Sequence, residues 1–230
     1  RATDSEPGGY NVVRHAGVTM SLYQFAAGGD LSVLPAADRG MDYMVEHLYR
    51  HDGWAAFQNL DDDGIQLGAS ALMLAGLMQR RIATGDPSFD TLSRQLARGL
   101  VALQLEDGAF LNRWDARTGA PVPGERSKYA TGEAFWSLTL MHRFFPGEGW
   151  DGYALKTADY LALNRDDHED QKFPPWADQW AAYDGARATP KVAQAATIPT
   201  NGAKATLAII APLPRPSASP AARTVFFGPR

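Results

Sequence analysis

Residues 129–141, Tyr129-Ala130-Thr131-Gly132-Glu133 followed by AFWSLTLM, decide the fold. A short polar, glycine-containing start gives way to an apolar run with no charged face. The same order recurs as Arg14-His15-Ala16-Gly17 before VTMSLYQF and as Gln66-Leu67-Gly68 before ASALMLAGLM. It returns more loosely as Trp176-Ala177-Asp178-Gln179 before WAAY. The intervals are roughly 50, 65 and 45 residues, and each holds a second helical pattern, which is how stacked helical hairpins appear in a sequence. Every copy places its polar or titratable residues at the same end of its helix. Hairpins that close into a ring bring those ends to one mouth.

Working outward, the segments at 11–27, 65–83, 129–144 and from Trp176 onward read as one set of helices. The segments at 32–50, 88–105 and 151–164 read as the other. ASALMLAGLM and AFWSLTLM are apolar nearly all round, whereas DRGMDYMVEHLYR and TLSRQLARGLVALQ carry many charges. A helix apolar on all sides is buried, and an amphipathic one lies at the surface. The first set is therefore expected as an inner layer and the second as an outer layer. The fold class expected is all-α: a partial α/α toroid of about three and a half hairpins with short extended turns. Those turns are GWAAFQ at 53–58, the acidic run Asp61-Asp62-Asp63-Gly64, and AFLNRW at 109–114. Trp54, Phe110 and Trp114 are expected as aromatics packed at the turns.

The pattern stops after Tyr183. Asp184 is the last acidic residue, and six basic residues and seven of the 15 prolines follow it. Residues 1–184 are read as the toroid domain and 185–230 as an irregular, basic, proline-rich tail. Residues 1–184 carry 16 basic against 26 acidic side chains, which argues against a nucleic-acid partner. No apolar run is long enough to span a membrane. The chain has no cysteine, so disulfides, zinc–thiolate sites and cysteine nucleophiles are excluded. The five histidines show no metal-ligand spacing. Asp61-Asp62-Asp63-Gly64 lacks the spaced oxygen ligands of a calcium loop. No metal and no cofactor are expected.

Arg98-Gly99-Leu100-Val101-Ala102-Leu103-Gln104, with Glu106-Asp107-Gly108-Ala109-Phe110, resembles the QW-type repeat of squalene-hopene cyclases, Phe110 standing in place of tryptophan. Arg39-Gly40 through Asp52-Gly53-Trp54 is a weaker copy. Together with YNVVRHAG and YATGEA, these turns resemble bacterial α/α-toroid proteins of the six-hairpin glycosidase-like and terpenoid-cyclase-like group, over about residues 10–183. The resemblance implies an architecture more than an activity, because such folds host many chemistries. The cyclase acid motif Asp-x-Asp-Asp has no match in Leu60-Asp61-Asp62-Asp63-Gly64. The cysteine-dependent zinc enzymes of the group are excluded by composition. The six-hairpin carbohydrate enzymes remain: hydrolases, lyases and epimerases.

The candidate catalytic residues are Glu133, Asp178 and His15. Glu133 lies at the start of an apolar helix, where the helix dipole favours a carboxylate. Tyr129, four residues before it, shares its face. His15 is a candidate base or acid, with a buried ring bonded to backbone as the alternative. Arg14, Gln66, Tyr129, Trp176 and Trp180 are candidate substrate contacts: Arg14 for an acidic group, Gln66 (with Ser70) for hydroxyls, and the two indoles as a stacking platform flanking Asp178. The function expected is acid/base chemistry on a saccharide or uronide, a small-molecule or oligosaccharide substrate. A non-catalytic saccharide-binding or structural toroid is the alternative, and an isoprenoid-cyclase-like protein the third reading.

Overall fold

The computed structural model describes residues 10–59, 64–127, 129–168 and Trp180. Helices dominate, in the order α1 (Val12–Ala27), α2 (Leu34–Glu46), α3 (Leu67–Thr84), α4 (Asp90–Val101), α5 (Ala130–Phe144), α6 (Trp150–Leu163) and the short α7 (Arg165–His168). Two small sheets sit between them. The strands are β1 (Leu48–His51) and β2 (Trp54–Phe57), then β3 (Gly64–Gln66), β4 (Arg113–Asp115) and β5 (Ala120–Pro121). The chain is thus all-α in class, with strands confined to connections.

The helices form hairpins. α2 packs back on α1, α4 on α3 and α6 on α5, while α1, α3 and α5 lie side by side. The contacts fix their direction. Gly17 faces Leu72 and Met20 faces Gly76, so α1 and α3 run the same way. Gly68 faces Glu133, and Ser137 Oγ donates to the Ala71 carbonyl at 2.7 Å, so α3 and α5 do too. All three therefore begin at one end of the molecule.

Burial follows the sequence pattern for two of these helices. In α3 every residue from Leu67 to Gln79 is buried, and in α5 every residue from Ala130 to Met141. α4, by contrast, buries Leu92, Leu96 and Leu100 on one stripe and turns Arg98 outward. α1 departs from the expectation. Val18 and Phe25 are 62% and 64% exposed. α3 covers one flank of α1 and α2 its back, and among the described residues no helix covers the flank that carries Val18 and Phe25.

Boundaries also differ, and α4 ends at Val101 rather than near Leu105. The second helix stops at Glu46, not near Arg50, because Leu48–His51 pairs antiparallel with Trp54–Phe57 across Asp52-Gly53. Both turn residues have positive φ, 41° and 78°. That is the primed turn whose twist suits a two-residue hairpin, and it explains the Asp-Gly pair. The third helix starts at Leu67 because Gly64–Gln66 is drawn into a strand against Arg113–Asp115, Ile65 opposite Trp114. Trp54, Phe110 and Trp114 are buried, as turn aromatics should be. The acidic run 61–63 and the tail 185–230 lie outside the described residues.

Candidate functional site

At the end where α1, α3 and α5 begin there is a cavity of about 1010 Å³. This is the size of site that accommodates a small ligand. Its polar lining comes from separate segments: Gln66 from the strand before α3, Asn112 from the turn after α4, Tyr129 and Glu133 from the start of α5, and His168 from α7. The loop 123–127 closes one wall.

The start of α5 is held firmly. Ser127 Oγ accepts from the Ala130 N–H at 3.0 Å, and Thr131 Oγ1 donates back to the Ser127 carbonyl at 2.9 Å. Ser127 is itself pinned by its N–H to the Phe110 carbonyl. The wall loop is tied down the same way, with the Asn112 N–H donating to the Glu125 carbonyl at 2.9 Å. Side chains on this frame therefore project from fixed backbone.

Glu133 is only 6% exposed. Its carboxylate lies against the first turn of α3, where position 68 is glycine, and a Cβ there would overlap Glu133 Oε2. The missing side chain at Gly68 is thus the recess that the carboxylate occupies. Tyr129, on the same face, is exposed at the cavity rim.

The wall loop carries one partner of an ionic pair. Arg126 Nη1 donates to Asp107 Oδ2 at 2.7 Å, and Asp107 Oδ1 accepts the Ala109 N–H at 3.1 Å. Burial pushes the Asp107 carboxyl up. The Arg126 hydrogen bond, the Ala109 N–H and the nearby charges of Arg126 and His168 outweigh burial, and the group ends below its ordinary value. The hydrogen bond to Asp107 raises Arg126 against its own partial burial.

Of the residues singled out in the sequence, the structure brings Gln66, Tyr129 and Glu133 around this cavity. His15 is not among its lining residues. His15 Nε2 lies 2.8 Å from the Gly40 carbonyl, and the ring packs with Tyr10, Tyr43 and Phe57 between α1 and α2. It is the backbone-bonded histidine of the alternative reading, since α2 crosses α1 at Gly40. Arg14 is exposed and also not among the lining residues. Ser70 Oγ accepts the Phe57 N–H, a structural bond. Trp180 stacks on Trp136 of α5, ring centroids 5.6 Å apart, so one indole face is already covered. Asp178 and Trp176 lie outside the described residues.

Asn112, Arg126 and His168 also line the cavity and were missed. Asn112 and Arg126 sit in segments with no helical period. His168 falls in a stretch that reads as a polar loop in the sequence, and the structure places it at the end of α7.

Among the described residues no helix is long and apolar enough to cross a membrane. No protein-family model matches the chain, and no curated protein matches it. Among solved structures it is similar in fold to the cellobiose 2-epimerase from Bacillus thermoamylovorans B4167, with a TM-score of 0.59 at 13% identity. The match covers 80% of this chain and 58% of that one, so the chain spans less than two thirds of the enzyme's length.

Proposed function

We propose that residues 1–184 form a partial six-hairpin α/α toroid that performs acid/base chemistry on a saccharide in this cavity, and that 185–230 are an appended tail. The observation that carries the reading is Glu133, a nearly buried carboxylate recessed against Gly68 and lining a 1010 Å³ cavity with Gln66, Asn112 and Tyr129. A carboxylate can take up or give a proton, and amides and a phenol can bond sugar hydroxyls. The likeness in fold to a cellobiose 2-epimerase supports the substrate class. The charges favour an uncharged saccharide over a uronide. Among the described lining residues Glu125 and Glu133 are acidic, Arg126 is already tied to Asp107, and Arg14 is elsewhere.

The test incubates the full chain in D₂O with cellobiose, lactose and maltose and follows them by proton NMR. Epimerised or hydrolysed sugar, or exchange of a carbon-bound proton, is the expected result. Glu133→Gln should lower turnover by about 10²–10⁴-fold, the contribution typical of a positioned acid or base. It should leave binding nearly unchanged. Binding without turnover in wild type and variant alike would turn the reading to a saccharide-binding module.

A further inference from the structure

Acid/base chemistry on a sugar needs one group to take a proton and another to supply one. His15, the imidazole expected for this from the sequence, is engaged between α1 and α2. We propose that His168 is the second proton-transfer group of the cavity, working with Glu133, an inference that rests on the function proposed above.

The described titratable groups of the lining are Glu125, Arg126, Tyr129, Glu133 and His168. Arginine does not give up its proton, and a tyrosine phenol ordinarily keeps its own at neutral pH. Glu125, on the wall loop, is a second carboxylate. Imidazole is the side chain that ordinarily changes charge between about pH 5 and 8.

Its surroundings orient it. His168 Nδ1 lies 4.0 Å from Asp107 Oδ2. The ring lies parallel to that of Tyr160, 4° between planes and 6.2 Å between centroids. Asp107 is held in place by Arg126 and the Ala109 N–H, so it is a fixed negative charge beside one ring nitrogen. Nδ1 is the nitrogen on the Asp107 side, which makes Nε2 the nitrogen proposed to meet a ligand. His168 is also half-exposed on its side chain and lines the cavity, which His15 does not.

Protons balance across the pair. One leaves the substrate, or the water attacking it, for the Glu133 carboxylate. One enters the substrate from the His168 imidazolium at the oxygen or carbon that accepts it. Glu133 ends as the neutral acid and His168 as the neutral imidazole, and proton exchange with solvent restores the carboxylate and the imidazolium.

The experiment uses the full chain and cellobiose as probe. The imidazole resonances are recorded by NMR, with that of His168 assigned in the wild-type chain through its proximity to the Tyr160 ring. Cellobiose should shift the His168 resonance and leave that of His51 in place. His168→Gln should lower kcat by about 100-fold or more and change cellobiose binding by less than about 3-fold. It should also remove one limb of the pH–rate profile. Among the described residues Asp107 and Tyr160 stand against the imidazole, Arg126 is bonded to Asp107, and Arg165 and Asp167 share its helix. Asp107→Asn, in the chain that keeps His168, should shift that same limb without abolishing it, which a purely structural histidine would not produce.

A His168 resonance unmoved by bound cellobiose overturns the proposal, and the NMR arm does not depend on the variant folding. So does wild-type turnover in His168→Gln beside an inactive Glu133→Gln, and both results leave the saccharide reading standing. If none of the three sugars moves a resonance or is converted, the saccharide reading falls and His168 falls with it.

Discussion

At the scale of the residue, Gly68 and Glu133 form the closest-fitting contact of the site. Gly68→Ala puts a methyl where Glu133 Oε2 sits. The neighbouring Ala130 Cβ, 3.2 Å from the same point, leaves little room to yield. Overpacking of this kind costs about 1–3 kcal/mol. The variant should unfold at lower urea than wild type and, because the carboxylate must turn away, lose turnover along with stability. A Gly68→Ala chain of wild-type activity would show that Glu133 does not depend on the recess. The sequence announces both residues, since each sits in a repeat start, but it does not say that they touch. That contact depends on the spacing of two helices 65 positions apart in the chain. His15 shows the converse. Its place at a repeat start resembles that of Glu133, yet a second helix crosses at Gly40 and takes up its ring nitrogen.

At the scale of the element, burial of α3 and α5 is legible because their runs have no polar face to turn outward. The end of α2 is less legible. Leu48-Tyr49-Arg50-His51 continues a helical period, and only the partner strand Trp54–Phe57 pulls it into a sheet. Strand pairing depends on a partner beyond the local window, whereas helical period does not. Gln104, the residue that matched a repeat motif in the sequence, ties the end of α4 to α6. Its Nε2 donates to the Tyr153 carbonyl at 3.0 Å and to Thr157 Oγ1 at 2.8 Å. Gln104→Ala removes both bonds between neighbouring hairpins and should cost about 1–2 kcal/mol. Thermal unfolding measures that loss, and an unchanged midpoint would mean that the two bonds add nothing to hairpin docking.

At the scale of the whole molecule, the two ends of the helix row do different work. The end away from the cavity is fastened by ions. Arg80 Nη1 meets Asp86 Oδ2 at 2.8 Å and Arg80 Nε meets Asp38 Oδ1 at 3.1 Å, while the Tyr23 hydroxyl donates to Asp38 at 2.7 Å. The Arg80 hydrogen bond, with two from Ser88, lowers the Asp86 carboxyl from 3.8 to about 2. Hydrogen bonds from Arg94 likewise lower Glu148. A carboxylate lowered in the fold contributes stability above its unfolded value and loses it as pH falls through the folded one. The thermal midpoint should therefore fall as pH drops from about 4 to about 2, with a shallower fall in Asp86→Asn. An equal slope in wild type and variant would remove Asp86 from the account. The layering of hairpins is visible in the sequence at this scale. The cavity wall is not, because 123–127 is a loop whose place is set by backbone bonds to the 110–112 turn.

The recess at Gly68 has a consequence for how such a molecule can change. The carboxylate belongs to one repeat and the gap that receives it to another, so the site reads the distance between two neighbouring rungs. Any substitution deeper along that seam, at Ala71 or Ser137 for instance, that spreads the rungs also moves the Glu133 carboxylate. Under the function proposed above, the geometry of the site and tolerance to core mutation are then one variable, and drift in the packing is constrained by a contact several residues away.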